Sequence, residues 1–123
     1  MVTEAELLEN AGIFWSNFVT TFGLGITVIS GYLIVAYAVG ASLTRSQVIL
    51  VNVIFFGTMA FIVVGLNGFG GTAADLEGAA WALTTQRTFE PTAWGRWGVM
   101  IFIVLCVFAA LKFMIDVRHP EAK

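Results

Sequence analysis

One histidine, one cysteine and two prolines in 123 residues leave little from which to build a reactive centre or a disulfide framework. With His119 alone, neither a bis-histidine haem nor a histidine-rich metal site can be assembled within one chain. With Cys106 alone no internal disulfide can form, and its place midway along an apolar run suits a small buried hydrophobe better than a reactive thiol. Charge is scarce too: Asp, Glu, Lys and Arg make up 11% of the chain, against roughly a quarter in soluble domains. The formal net charge is −2 and there is no basic stripe, so nucleic acid is not an expected partner.

What fills the chain instead is apolar. Hydrophobic residues reach 59% and the mean hydropathy is +0.89, the composition of a chain that lives in a lipid bilayer. Residues 13–39 carry no charge, and neither do 48–66, while 97–115 are interrupted only by Lys112 near the end. At 1.5 Å per residue each run can cross a hydrocarbon core of about 30 Å. The expected fold is a single all-α integral membrane domain with three transmembrane helices over 12–39, 46–66 and 94–116. A surface turn over 1–11 precedes them and a tail over 117–123 follows. The N-terminal stretch is acidic where a cleavable signal would be basic, and neither end shows a lipidation motif, so the first span is expected to stay.

Basic residues set the expected orientation. Arg45 in the first loop and Lys112, Arg118 and Lys123 at the C-terminal end outnumber Arg87 and Arg96 in the second loop. Positive-inside then puts the N-terminus outside and the short loop and C-terminus in the cytoplasm, in an inner (plasma) membrane. Glu4, Glu6, Glu9, Asp75, Glu77 and Glu90 all fall on the outer side.

Local signals divide the chain further. Thr44 and Gln47 make a capping box that starts the second span. Gly65-Leu66-Asn67-Gly68 predicts its end, Gly70-Gly71 a loosened segment, and Thr72 with Asp75 the start of a short amphipathic helix over 73–85. Leu76, Ala79, Ala80 and Leu83 form the apolar stripe of that helix, which is expected to lie in the outer interface plane. Trp81 falls off the stripe and reads as an interfacial anchor in an aromatic belt with Phe69, Phe89, Trp94 and Trp97. Arg45 opens a helix, where the dipole disfavours a cation, so headgroup anchoring explains it best. Glu90-Pro91 turns the chain into the third span.

The most informative pattern is a face of the first span. Ser16, Thr20, Gly23, Thr27, Ser30 and Gly31 recur at helical spacing, with Gly23, Thr27 and Gly31 keeping the small-xxx-small interval that lets two backbones approach. Gly57, Ala60 and Val64 offer a matching narrow face on the second span, so the stripe is expected to be a packing surface within the chain or between chains. Lining an aqueous path is the bolder use of the same hydroxyls. Two amides fall in the spans. Asn17 lies near the outer end, where water can serve it, whereas Asn52 is deeper and needs a helix neighbour as hydrogen-bond partner.

No acid or histidine stands at depth to activate a nucleophile, and Gly68 to Thr72 match no phosphate-loop spacing. The chain is therefore expected not to be an enzyme, with no cofactor and no metal. Its expected role is that of a non-catalytic structural or accessory subunit, or assembly factor, of a larger membrane complex. The alternative is a homo-oligomeric channel or transporter; three spans with the N-terminus out and the C-terminus in are a topology shared with some phage holins, without a common motif. The partners in either case are the bilayer and other membrane subunits or further copies of the chain.

Overall fold

The computed structural model describes residues 1–83 and 93–119, with side chains described throughout except at 93 and 94. Three helices account for nearly all of it: α1 (Glu4–Val39), α2 (Arg45–Leu83) and α3 (Ala93–Arg118), with a short 3-10 turn (Gly40–Ser42) after α1. No strand occurs among the described residues. All three helices are long and apolar enough to cross a membrane.

Helix α1 begins at a capping box that the sequence reading did not single out. The Thr3 N–H donates to Glu6 Oε2 at 2.8 Å, and the Glu6 N–H donates to Thr3 Oγ1 at 3.3 Å, so two orphan donors are satisfied reciprocally. From there 36 residues run without a break, about 54 Å. The expected surface turn over 1–11 is thus the first part of the same helix as the first span. Gly12 alone separates them, and one interior glycine costs only about 1 kcal/mol. The second capping box closes the start of α2: the Thr44 N–H donates to Gln47 Oε1 at 2.9 Å and the Gln47 N–H to Thr44 Oγ1 at 3.4 Å.

Helix α2 corrects the sequence reading more deeply. It runs 39 residues, straight through Gly65-Leu66-Asn67-Gly68 and Gly70-Gly71, so 73–83 are its last turns and not a separate interfacial helix. Residues 84 and 85 of that expected helix lie outside the described residues. A glycine ends a helix by taking up a left-handed conformation, and no described residue has positive φ. These glycines serve close approach instead. A methyl group on Gly65 would stand 3.5 Å from Thr21 Cγ2, and one on Gly70 would stand 3.1 Å from Phe18 Cδ2. The seam of α2 continues across the predicted stop as Phe55, Met59, Ile62, Leu66, Gly70, Ala73 and Ala80, all buried, at spacings of three, four or seven. Burying that unbroken row offsets the propensity cost of the glycines.

Helices α1 and α2 form a long antiparallel hairpin, and α3 returns alongside both, parallel to α1. Gly25 sits where the three meet: a methyl group there would stand 3.2 Å from Ile62 Cγ2 and 3.3 Å from Ile103 Cδ1. Ile103, Val107, Ala110 and Met114 form the buried row of α3. The core is wholly apolar among the described residues. The outside is apolar as well, with Phe61, Val64, Leu105 and Phe108 each more than 60% exposed, a surface that water would penalise and lipid would not.

Candidate functional site

The stripe of small and hydroxylated residues lies on the face of α1 opposite its core row. Phe18, Gly25, Ile29, Tyr32 and Ala36 turn inward, whereas Ser16, Thr20, Gly23, Thr27, Ser30 and Gly31 are all exposed. Side chains added at Gly23 or Gly31 would meet nothing within 4 Å. Gly57 is equally open and, with exposed Ala60 and Val64, faces outward from α2. The chain therefore does not bring the stripe and the Gly57 face together, so of the two packing uses left open the one within the chain is not made. The reason is size: the inward row of α1 carries Phe18, Ile29 and Tyr32, which remove far more apolar area from water than serines and glycines can.

The hydroxyls of the stripe are not idle. Thr20 Oγ1 donates to the Ser16 carbonyl at 3.0 Å, Thr27 Oγ1 to the Gly23 carbonyl at 3.0 Å and Ser30 Oγ to the Ile26 carbonyl at 2.8 Å. Each proton is spent one turn back on the same helix, so the face is chemically quiet and sterically narrow. From Thr20 to Gly31 a neighbouring backbone can come close without desolvating an unpaired hydroxyl.

Asn52 finds its partner across the hairpin, where Tyr32 Oη donates to Asn52 Oδ1 at 2.6 Å. The Tyr32 ring stacks on Phe55 with centroids 4.1 Å apart, which fixes the phenol in place. Near the other end of the hairpin Trp15 Nε1 donates to Glu77 Oε1 at 2.6 Å. Asn17 is exposed, and its main-chain carbonyl accepts from Thr21 Oγ1 at 2.8 Å.

The expected interface anchors separate. Arg45 is exposed on the first turn of α2, Trp81 is half-buried near the end of the same helix, and Trp97 is 50% exposed on α3. The Trp94 side chain, together with Arg87, Phe89, Glu90 and Pro91, lies outside the described residues, as does the tail from 120 to 123. Two arginines on α3 emerge as more specific than Arg45. Arg118 Nη1 donates to the Leu43 carbonyl at 2.9 Å and to the Gly40 carbonyl at 3.4 Å, tying α3 to the loop between α1 and α2. Arg96 lies across Gly70 and Gly71, with its Cζ 5.1 Å from the centroid of the Trp97 ring.

Side-chain chemistry for a reaction is thin. Among the described residues no three of His, Cys, Asp and Glu gather where a metal could be held. Cys106 is half-buried beside an open apolar groove between α1 and α3, lined by Ile29, Leu33, Tyr37, Ala109 and Phe113. Comparison with protein-family models, curated proteins and solved structures finds no match, so the functional reading rests on geometry alone.

Proposed function

We propose that this chain is a non-catalytic integral membrane protein of the inner membrane, an accessory subunit or assembly factor that seats the outer face of α1 against a transmembrane helix of a larger complex. The observation that carries the reading is the exposed stripe from Ser16 to Gly31. An interior glycine costs about 1 kcal/mol relative to alanine, and neither Gly23 nor Gly31 repays that cost inside the chain. A close helix neighbour would use both.

The dimensions support a membrane-seated chain with a projecting end. Setting the 40–44 loop and Arg118 at the cytoplasmic headgroup layer puts a core of about 30 Å between that loop and the level of Thr20 on α1 and Gly65 on α2. Beyond that level the hairpin continues for about another 25 Å. This part carries Glu4, Glu6, Glu9, Asp75 and Glu77, every described carboxylate side chain except that of Asp116. Charge and length thus agree on which end leaves the lipid, and the excess of basic residues at the other end favours the cytoplasm there.

The homo-oligomeric channel draws on the same face but has less behind it, because the Thr20, Thr27 and Ser30 protons are committed to backbone carbonyls. A photo-crosslinking residue at Thr27, with Phe61 as control, distinguishes the readings in native membranes by mass spectrometry. A cross-link from 27 to a different membrane protein is the expected result. Ladders of self-linked chains, or deletion that leaves every membrane complex intact, would overturn it.

A further inference from the structure

Arg96 stands in the first turn of α3, where a cation opposes the helix dipole and no acidic residue shares that turn. Its aliphatic stem is pressed onto a bare stretch of α2. A methyl group on Gly70 would stand 2.7 Å from Arg96 Cδ and 3.0 Å from Cγ, and one on Gly71 would stand 3.1 Å from Nη1. The two glycines therefore form a groove that only a helix without side chains can offer, and the arginine fills it. Its Nε is buried without a hydrogen-bond partner. Among the described residues the one ion pair is Lys112 with Asp116, at the other end of α3. Glu77 is occupied by Trp15, and Asp75 is exposed on α2 one turn beyond Gly71. Among the described residues the face of Trp97 is what addresses the guanidinium.

We propose that Arg96, held in the Gly70-Gly71 groove beside Trp97, is a binding site for a phosphate ester. A guanidinium presents its donors as a planar fork that matches phosphate oxygens, and a charge seated among apolar groups gains most from a bound counter-ion. The source favoured by position is a phospholipid headgroup. Arg96 and Arg118 are 22 residues apart on one helix, about 33 Å, so with Arg118 at one headgroup layer Arg96 reaches the other. Arg118 is satisfied by loop carbonyls, whereas no described residue supplies an acceptor to Arg96, whose Nη donors are the ones an outside phosphate would meet.

The test uses the full chain, purified in neutral detergent and titrated with phosphatidylglycerol or with a neutral glycolipid of the same acyl chains, with retention read by native mass spectrometry. One phosphatidylglycerol per chain should be retained in preference to glycolipid. Affinity should fall about tenfold in Arg96→Gln and less in Arg96→Lys, which keeps the charge and loses the fork. Arg45→Gln should change it by less than about twofold. Gly70→Ala keeps the charge but pushes the stem out of its groove, so it should also weaken retention, and it decides the matter should Arg96→Gln fail to fold. Inorganic phosphate that displaces the lipid at millimolar concentration would assign the site to free phosphate as well, and failure to displace it would assign the site to the headgroup. Equal retention by wild type and the folded variants, or no preference over glycolipid, would overturn the proposal.

Discussion

The two ends of the bundle are built from the same parts and finished differently. Each has a capping box, Thr3 with Glu6 at the open end and Thr44 with Gln47 at the closed end. Each has a polar pin across the hairpin, Trp15 to Glu77 and Tyr32 to Asn52. Each has an α3 residue pressed onto a glycine, Arg96 on Gly70 and Met114 on Gly40. At the closed end, however, the arginine of α3 spends its donors on carbonyls of the chain's own loop, while at the open end it has no such acceptor among the described residues. A terminus sealed by its own backbone is structural. One that leaves a cation unspent is available for binding.

The sharpest way to break that comparison is to remove each arginine in turn. Arg118→Ala deletes charge-assisted hydrogen bonds to the Leu43 and Gly40 carbonyls and should cost about 2 kcal/mol in reversible unfolding from detergent micelles. Arg96→Ala removes no hydrogen bond to a described residue and loses only the packing of its stem over Gly70 and Gly71 and its contact with Trp97, so its cost should be about 1 kcal/mol. Equal costs would mean that the two ends are not finished differently at all.

Smaller effects are expected at the pins. Tyr32→Phe leaves the Asn52 amide without its donor among apolar side chains and should cost about 1 kcal/mol, the upper part of what interhelical bonds contribute in lipid. Trp15→Phe leaves Glu77 without its donor at the open end and should cost about half as much by the same measurement. The reverse order would place the open end, not the closed one, at the stable pole of the hairpin.

Much of this architecture is legible in residue order, and the illegible part has a common cause. Charge-free runs announce three long helices because each one alone meets the length a bilayer demands. The box at Thr44 and Gln47 is legible because its partners are three residues apart. The continuity of α2 is not, since a glycine signals either a helix stop or a close approach. What decides between them at Gly70 is Phe18 and Arg96, far away in the chain. The same holds for α1, where the row Phe18, Gly25, Ile29, Tyr32 and Ala36 is as periodic as the small-residue stripe; only the volumes offered by α2 and α3 choose which row goes inside. Gly25, the glycine at the meeting of three helices, is therefore no more conspicuous in the sequence than Gly23, which touches nothing. Tyr32 as the partner of Asn52 is equally hidden, being placed by the hairpin and not by local spacing.

The least of the expected effects concerns the boxes, which differ in one atom type. Gln47 is neutral at every pH, but Glu6 accepts through a carboxylate, and hydrogen bonds from the Thr3 backbone N–H and then the Thr3 hydroxyl hold its pKa below the ordinary 4.5. A carboxyl whose pKa is lower in the folded chain stabilises it fully above the ordinary value and progressively less as pH falls through the lowered one. Hydrogen exchange at the first turn of α1 should therefore speed up, relative to the intrinsic rate, between about pH 5 and pH 3, while the first turn of α2 keeps its protection. In Glu6→Gln the pH dependence should vanish and the protection at neutral pH should be only slightly reduced, because a glutamine still closes the box but no longer complements the helix dipole. Protection lost at both helix starts together in acid would trace the change to the hairpin as a whole, and the two ends would then respond to pH as one.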